Sequence, residues 1–220
     1  MKFIIAPSIL AADFAHLSRE IEKIQQIPNS CVHLDIMDAH FVPNLSFGVP
    51  VIKSIRNITT LPFDAHLMVD NPELFFSPLK DAGVNYITFH IEQTKVPLKL
   101  IRKIKNLGLK AGISLKPATP ISEVEDVLPY VDILLVMSVE PGFSGQKFIN
   151  SSLQKIEKAK KIRESKKLHY LISVDGGINN KTAVDVLKAG ADILVMGSYF
   201  FKNPFKVVKA QIGKLIESDF

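Results

Sequence analysis

The stretch Pro97-Leu98-Lys99-Leu100-Ile101-Arg102-Lys103-Ile104-Lys105-Asn106-Leu107-Gly108-Leu109-Lys110-Ala111-Gly112-Ile113-Ser114-Leu115 holds one repeat unit of the chain. From Leu98 to Asn106 the apolar and cationic residues alternate at helical spacing. Pro97 stands at the helix start, where a missing N–H costs little. Gly108 follows the last apolar turn, as a C-capping glycine does, and Lys110–Leu115 then reads as a strand. The same helix–glycine–strand order recurs at Ala82-Gly83 and Ala189-Gly190. Working outward, strands are expected at Phe3–Ser8, Val32–Met37, Pro62–Leu67, Tyr86–His90, Lys110–Leu115, Ile133–Met137, Leu171–Asp175 and Ile193–Met196. Further helical stretches include Phe14–Gln26, Leu153–Ser165 and Ala183–Ala189, and Pro72 and Pro204 sit where other helices would begin. Strand, crossover helix, next strand is the βαβ unit of a parallel sheet.

No linker or low-complexity stretch divides the 220 residues. An α/β fold with a closed (β/α)8 TIM barrel, one domain over 1–220, is therefore expected; an open doubly wound sheet is the structural competitor. A hydrophobic fraction of 47% supports a core of that size.

Net charge is +5, which is compatible with nucleic acid, membrane or anionic substrates. The lysines are dispersed, and the densest run, Lys155 to Lys167, alternates with Leu153, Ile156, Ala159 and Ile162 as a solvated helix face would. No arginine-rich arm or zinc-finger spacing points to nucleic acid. Cys31 is the only cysteine, which excludes an intrachain disulfide and fits a reducing compartment. Pro7, Ser8 and Asp13 interrupt the short apolar start Met1–Ile5, so neither a signal peptide nor a membrane anchor is expected there, and a cytoplasmic location is.

A parallel strand covered by helices should be apolar throughout. Cys31-Val32-His33-Leu34-Asp35-Ile36-Met37-Asp38 breaks that rule. Side chains alternate, so Val32, Leu34 and Ile36 share one face and His33, Asp35 and Met37 the other. The polar face belongs inside the barrel, toward the strand's C-terminal end, where barrel enzymes keep their sites. Asp64, His66 and Met68 repeat the arrangement, and Ser173 and Asp175 end the seventh strand together. Buried charges and imidazoles need partners. His33, Asp35, His66 and Asp175 would most economically satisfy one another through a divalent metal, and two imidazoles with two carboxylates suit Zn2+, Fe2+, Mn2+ or Co2+. Each alone has a plainer explanation: an interior Asp is often half of an ion pair, and His90 reads as a hydrogen-bonded core residue. Methionines 37, 68 and 137 read as core filler.

Three glycine-bearing loops follow the last strands: Glu140-Pro141-Gly142-Phe143-Ser144-Gly145-Gln146, Asp175-Gly176-Gly177-Ile178-Asn179 and Met196-Gly197-Ser198. Barrel phosphate sites lie after strands seven and eight, where backbone N–H groups approach an anion. Gly177 and Gly197-Ser198 fit that description, and together with the metal candidates they imply a ligand with a phosphate at one end and metal-binding oxygens at the other.

From Ala6-Pro7-Ser8-Ile9-Leu10 to Gly197-Ser198 the chain resembles the ribulose-phosphate 3-epimerase family. The specific segments are His33–Asp38, His40-Phe41-Val42-Pro43-Asn44, His66-Leu67-Met68, Met137–Phe143 and Val174-Asp175-Gly176-Gly177-Ile178. The resemblance implies a metal-dependent isomerase of the pentose phosphate pathway, converting D-ribulose 5-phosphate to D-xylulose 5-phosphate and back by inverting C3. It implies His33, Asp35, His66 and Asp175 as metal ligands and Asp35 and Asp175 as the acid–base pair. Ser8, His33 and His66 would touch the substrate, and Met37, Met68 and Met137 would line its reacting carbons. Gly142, Phe143, Ser144, Gly145, Gly176, Gly177, Gly197 and Ser198 would meet its phosphate end. A homo-oligomer is implied too, since related barrels are commonly oligomers.

Ala39 and Ser144 stand where glycine is common, and Lys116-Pro117-Ala118-Thr119 where Asn-Pro-Gly-Thr is typical. These departures touch loop geometry, and Lys116 could add positive charge near the mouth. Competing readings are a 3-epimerase of a hexulose 6-phosphate such as allulose 6-phosphate, a metal-independent decarboxylase or aldol-type barrel, and a non-catalytic sugar-phosphate binder. The decarboxylase would want a lysine where Met37 stands; a binder would gain nothing from opposed carboxylates.

Overall fold

The computed structural model describes residues 3–218. In chain order it consists of β1 (Ile4–Pro7), α1 (Leu17–Gln25), β2 (Val32–Met37), α2 (Val49–Arg56), β3 (Phe63–Met68), α3 (Phe76–Asp81), β4 (Tyr86–His90), α4 (Pro97–Asn106), β5 (Lys110–Leu115), β6 (Ile133–Met137), α5 (Ser152–Ser165), β7 (Leu171–Asp175), α6 (Thr182–Ala189), β8 (Ile193–Met196), α7 (Ser198–Lys202) and α8 (Phe205–Glu217). All strand pairs are parallel, in the order β1-β8-β7-β6-β5-β4-β3-β2. The ring closes between β1 and the segment entering β2: the Ile5 N–H donates to Asn29 O at 3.1 Å, and the Cys31 N–H donates to Ile5 O at 3.0 Å. This is the closed (β/α)8 barrel; the open sheet is excluded.

The expected elements shift only at their ends. The third strand begins at Phe63 because Pro62 offers a carbonyl to Val32 N–H but no donor of its own. The first helical stretch splits: Asp13 accepts from Ala15 N–H and caps a 3₁₀ turn, Phe14–His16, before α1 starts. One crossover lacks an α-helix. Between β5 and β6 the chain makes only 3₁₀ turns, Ile121–Glu123 and Leu128–Tyr130, because Pro117, Pro120 and Pro129 remove donors and restrict the residues before them.

The core has two parts. Leu34, Ile36, Ile113, Leu115 and Val174 face outward and pack with the helices in one large cluster. Inside the ring the layers change character from bottom to top. Cys31, Ile133 and Ile193 make an apolar layer at the N-terminal ends of the strands, with Ala6 and Val195 stacked on it. Above them the interior turns polar, with His33, Asp64, Thr88, His90, Ser114 and Ser173 all buried.

Helix α5 buries Ile156, Ala159 and Ile162, as its periodicity predicts. Lys155 is the exception to the solvated face. Its Nζ turns inward and donates to the carbonyls of Lys116, Pro117 and Thr119 at 2.9, 2.9 and 2.6 Å, pinning the loop after β5. Among the described residues no helix is long and apolar enough to cross a membrane.

Candidate active site

Strand parity places His33 and Asp35 on β2, His66 on β3 and Asp175 at the end of β7 on the inner face of the ring. One ligand-capable atom from each lies within 4.8 Å of those of the other three. His66 Nδ1 is 3.0 Å from Asp35 Oδ1 and 3.9 Å from Asp175 Oδ2. His33 Nε2 is 3.3 Å from Asp35 Oδ1, too poorly aimed to count as a hydrogen bond, and it is a buried polar atom with no partner among the described residues. An orphaned imidazole nitrogen beside two carboxylates is what a divalent metal site requires, so the four residues fit such an ion in number, type and spacing.

His33 sits deeper than its sequence position suggested. It is the second residue of β2, not near its end, and its bridge partner across the closing seam is Ser8, just past the end of β1. Strands in a closed barrel are tilted and staggered, so residues at different heights along their own strands meet at one level. The Ser8 hydroxyl donates to Asp35 Oδ2.

The two carboxyls are pushed in opposite directions. Burial raises Asp35, but the imidazoles of His33 and His66 win and hold it well below the usual carboxylate range. Asp175 has burial and the neighbouring Asp35 charge both pushing it up, to about 6. Burial lowers His33, yet Asp35 and Asp64 on either side of its ring raise it well above the ordinary value. The site therefore holds one carboxylate ionised beside another that keeps its proton more readily, the asymmetry an acid–base pair uses.

Above this floor opens a cavity. It is lined by Ser8, Asp35, Met37, Met68, Met137 and Asp175, and by the loops bearing Gly142, Phe143, Ser144, Gly145, Gly176, Gly177, Gly197 and Ser198. Of the residues expected to meet the substrate, only His33 and His66 do not line it; both are fully buried, beneath the floor. Met37 and Met68 are register partners on adjacent strands, and Met137 pairs with Asp175. Ser198 starts α7, and its Oγ is buried with no partner among the described residues. A Cβ on Gly145 would lie 3.4 Å from that hydroxyl, so the loop after β6 and the start of α7 face each other across a narrow gap. Gly177 has φ +65°, and a Cβ there would sit 2.5 Å from Phe148 N. Only glycine lets these two backbones approach so closely.

The departures from the family pattern differ in consequence. Ala39 adopts φ 61°, a left-handed conformation that costs an L-residue about 1–2 kcal/mol. Ser144 is not among the positive-φ residues and carries no such strain. Lys116 does not line the cavity; its ammonium lies 4.0 Å from the centre of the Phe41 ring.

Three polar residues behind the site had no role in the sequence reading. Asp64 accepts from His33 Nδ1 at 2.9 Å. His90 Nε2 meets His66 Nε2 at 2.8 Å, and its Nδ1 meets Glu92 Oε2 at 3.1 Å. His90 is thus the hydrogen-bonded core residue expected, but bonded to the site itself, and burial lowers it to about 4. Asp64 was legible, since it shares a face with His66. The His66–His90 contact was not, because it depends on ring orientation across two strands. The rim also includes Glu140, Gln146, Asn179 and Tyr199.

Interior carboxylates, four residues that fit a divalent ion and glycine-bearing loops at the C-terminal mouth of the barrel are the layout of a (β/α)8 enzyme site. The model of the ribulose-phosphate 3 epimerase family matches residues 4–201. The ribulose-phosphate 3-epimerase of Treponema pallidum is 46% identical, covering 93% of this chain and 94% of that protein. Those of Methanocaldococcus jannaschii and Bacillus subtilis are 47% identical (98% and 94% covered) and 44% identical (88% and 90% covered). The protein belongs to the ribulose-phosphate 3-epimerase family. A mutant tryptophan synthase alpha-subunit from Pyrococcus furiosus superimposes with a TM-score of 0.70 at 15% identity, over 99% of this chain and 98% of that one, a likeness of fold alone.

Proposed function

We propose that this protein interconverts D-ribulose 5-phosphate and D-xylulose 5-phosphate by inverting C3, with Asp35 and Asp175 as the two acid–base groups. The observation that carries the proposal is their meeting, from β2 and β7, at the floor of one cavity with opposed proton affinities. The C3 proton is acidic because it is next to the C2 ketone, and its loss gives an enediolate. Asp35, ionised and oriented by Ser8, takes that proton from one face. Asp175 delivers another to the opposite face. In the reverse direction the roles exchange. Held by His33, Asp35, His66 and Asp175, a divalent ion such as Zn2+, Fe2+, Mn2+ or Co2+ would supply a Lewis acid that offsets the charge developing on the ketose oxygens. A dication held there lowers both carboxyls.

Met37, Met68 and Met137 give the reacting carbons an apolar, polarizable lining that excludes water. Gly142 to Gly145, Gly176, Gly177, Gly197 and Ser198 are assigned to the phosphate: loops free of bulk let backbone N–H groups close around an anion. A binding-only protein is a poor fit, since holding a phosphate dianion gains nothing from two carboxylates at the cavity floor. The reading takes the protein as a cytoplasmic homo-oligomer that binds no nucleic acid, in line with its family, its lone cysteine and its dispersed lysines.

The test is turnover of ribulose 5-phosphate in a coupled assay, beside allulose 6-phosphate on the same preparation, before and after chelation. Ribulose 5-phosphate should be strongly preferred, chelation should abolish activity and a divalent ion should restore it. Preference for the hexulose phosphate would move the substrate assignment. Full activity in protein shown metal-free by elemental analysis would remove the metal.

A further inference from the structure

His66 can offer a metal only one lone pair, and the chain of contacts behind it decides which nitrogen carries it. Glu92 lies just past β4. Its Oε1 accepts from the Lys116 N–H at 2.8 Å and from the Thr119 hydroxyl. The loop bearing both donors is pinned by Lys155, so this carboxylate is held in place. Its Oε2 faces His90 Nδ1 at 3.1 Å, and His90 Nε2 faces His66 Nε2 at 2.8 Å. Neither His90 nor Glu92 lines the cavity.

We propose that His90 and Glu92 are positioning residues that fix the tautomer of His66, placing its proton on Nε2 and leaving the Nδ1 lone pair for a divalent metal; the inference rests on the metal site described above. A carboxylate oxygen only accepts, so His90 must carry its proton on Nδ1 and present a bare Nε2. A contact of 2.8 Å between two ring nitrogens holds one proton, so His66 must supply it from Nε2. What remains on His66 is a lone pair on Nδ1, facing Asp35 Oδ1 and Asp175 Oδ2. The 3.0 Å contact of Nδ1 with Asp35 Oδ1 needs a proton or a cation between them, and a divalent ion takes that place. The proton order that Glu92 imposes thus prepares the place for the ion. His33 is set in the same way by a single step: Asp64 accepts its Nδ1 proton, so Nε2 is the nitrogen left for a metal. The two imidazoles present opposite nitrogens to the same point because Asp64 lies directly behind one ring, whereas the other is reached through His90.

The discriminating variant is Glu92→Gln, which keeps shape and removes one acceptor. If the amide nitrogen faces His90 it donates to Nδ1, the proton order reverses, and His66 is left with its proton on Nδ1. If the amide is turned over, its NH2 meets the donors of Lys116 and Thr119. Zinc affinity is measured by competition with a chromophoric chelator. Histidine tautomers are read from long-range 1H–15N correlation spectra of the zinc-loaded protein, in which there are only six histidines to assign. The parent should bind one zinc with His66 ligating through Nδ1. Glu92→Gln should bind zinc about 10–100-fold more weakly and show an altered His66 nitrogen pattern. His90→Phe should lose affinity to a similar degree. Should His90→Phe fail to fold, Glu92→Gln decides alone. Parent-like zinc affinity, or weakened affinity with an unchanged His66 tautomer, overturns the positioning role while leaving the metal site standing. A parent that binds no zinc overturns both.

Discussion

Replacing Ser198 with Asp places a carboxylate where the phosphate of the substrate is assigned. Ser198 begins α7, its hydroxyl is buried without a partner among the described residues, and it faces the position of a Gly145 side chain across 3.4 Å. A carboxylate there could not avoid a phosphate seated between these loops. Two unit charges about 4 Å apart at an effective dielectric of about 20 repel by about 4 kcal/mol, and a dianion fares worse. At about 1.4 kcal/mol per decade, that is a rise in KM of at least about 10³-fold. Ser198→Ala removes only a hydrogen bond to a charged group, about 1.5–3 kcal/mol, or one to two decades. Steady-state kinetics on ribulose 5-phosphate and on unphosphorylated D-ribulose separate charge repulsion from damage. The Asp variant should lose most of its kcat/KM on the phosphate ester and little on D-ribulose, with kcat at saturation much less affected than KM. An unchanged KM would show that the phosphate binds elsewhere, and equal losses on the two substrates would show damage to the site in place of charge repulsion.

Gly177→Ala should lower the melting temperature as well as activity, because its Cβ would meet Phe148 N at 2.5 Å in a left-handed conformation; a parent-like melting curve would show that the loop has room to move. For the same reason Gly177→Asp tests folding more than charge. Ala39→Gly should leave stability unchanged or raise it by up to about 1 kcal/mol in urea unfolding, relief of strain at φ 61° outweighing the added freedom of the unfolded chain; a loss above about 1 kcal/mol would deny the strain. Tyr170 is buried, donates to Ala159 O at 2.7 Å, and is pushed by burial from 10.0 up to about 12. The unfolded chain releases that phenolic proton near pH 10 while the folded protein keeps it, so this contribution is full below pH 10 and lost as pH rises toward 12. Urea midpoints of the parent should fall more steeply across that window than those of Tyr170→Phe; equal slopes would refute it.

The barrel was legible because its evidence is local. Each glycine after a helix, such as Gly108 and Gly190, does sit at positive φ, and strand parity put His33, Asp35, His66 and Asp175 on the inner face of the ring. What escaped depends on non-local geometry. The height of His33 is set by barrel stagger, visible only once Ser8 is its neighbour across the seam. Lys155 reads as one more surface lysine until the loop after β5 brings carbonyls to it. His90 reads correctly as a bonded core histidine, but which residues it bonds to follows from two strands and the turn after β4 meeting. The β5–β6 crossover shows the opposite lesson: Pro117, Pro120 and Pro129 were plain in the sequence, and their cumulative veto on an α-helix outweighed the βαβ pattern around them.

The central claim is that Asp35 and Asp175 act on opposite faces of C3. A proton removed by one of them cannot be the proton delivered by the other, and the donor's proton exchanges with water between turnovers. Asp35→Asn and Asp175→Asn should each lower the rate by at least about 10²–10⁴-fold, but loss of a metal ligand would do so as well. The measurement that isolates the claim is turnover of ribulose 5-phosphate in D2O, stopped at low conversion, with the C3 position of the xylulose 5-phosphate read by NMR or mass spectrometry. Two opposed carboxylates place deuterium at C3 of essentially every product molecule; substantial retention of the original hydrogen at C3 would contradict them.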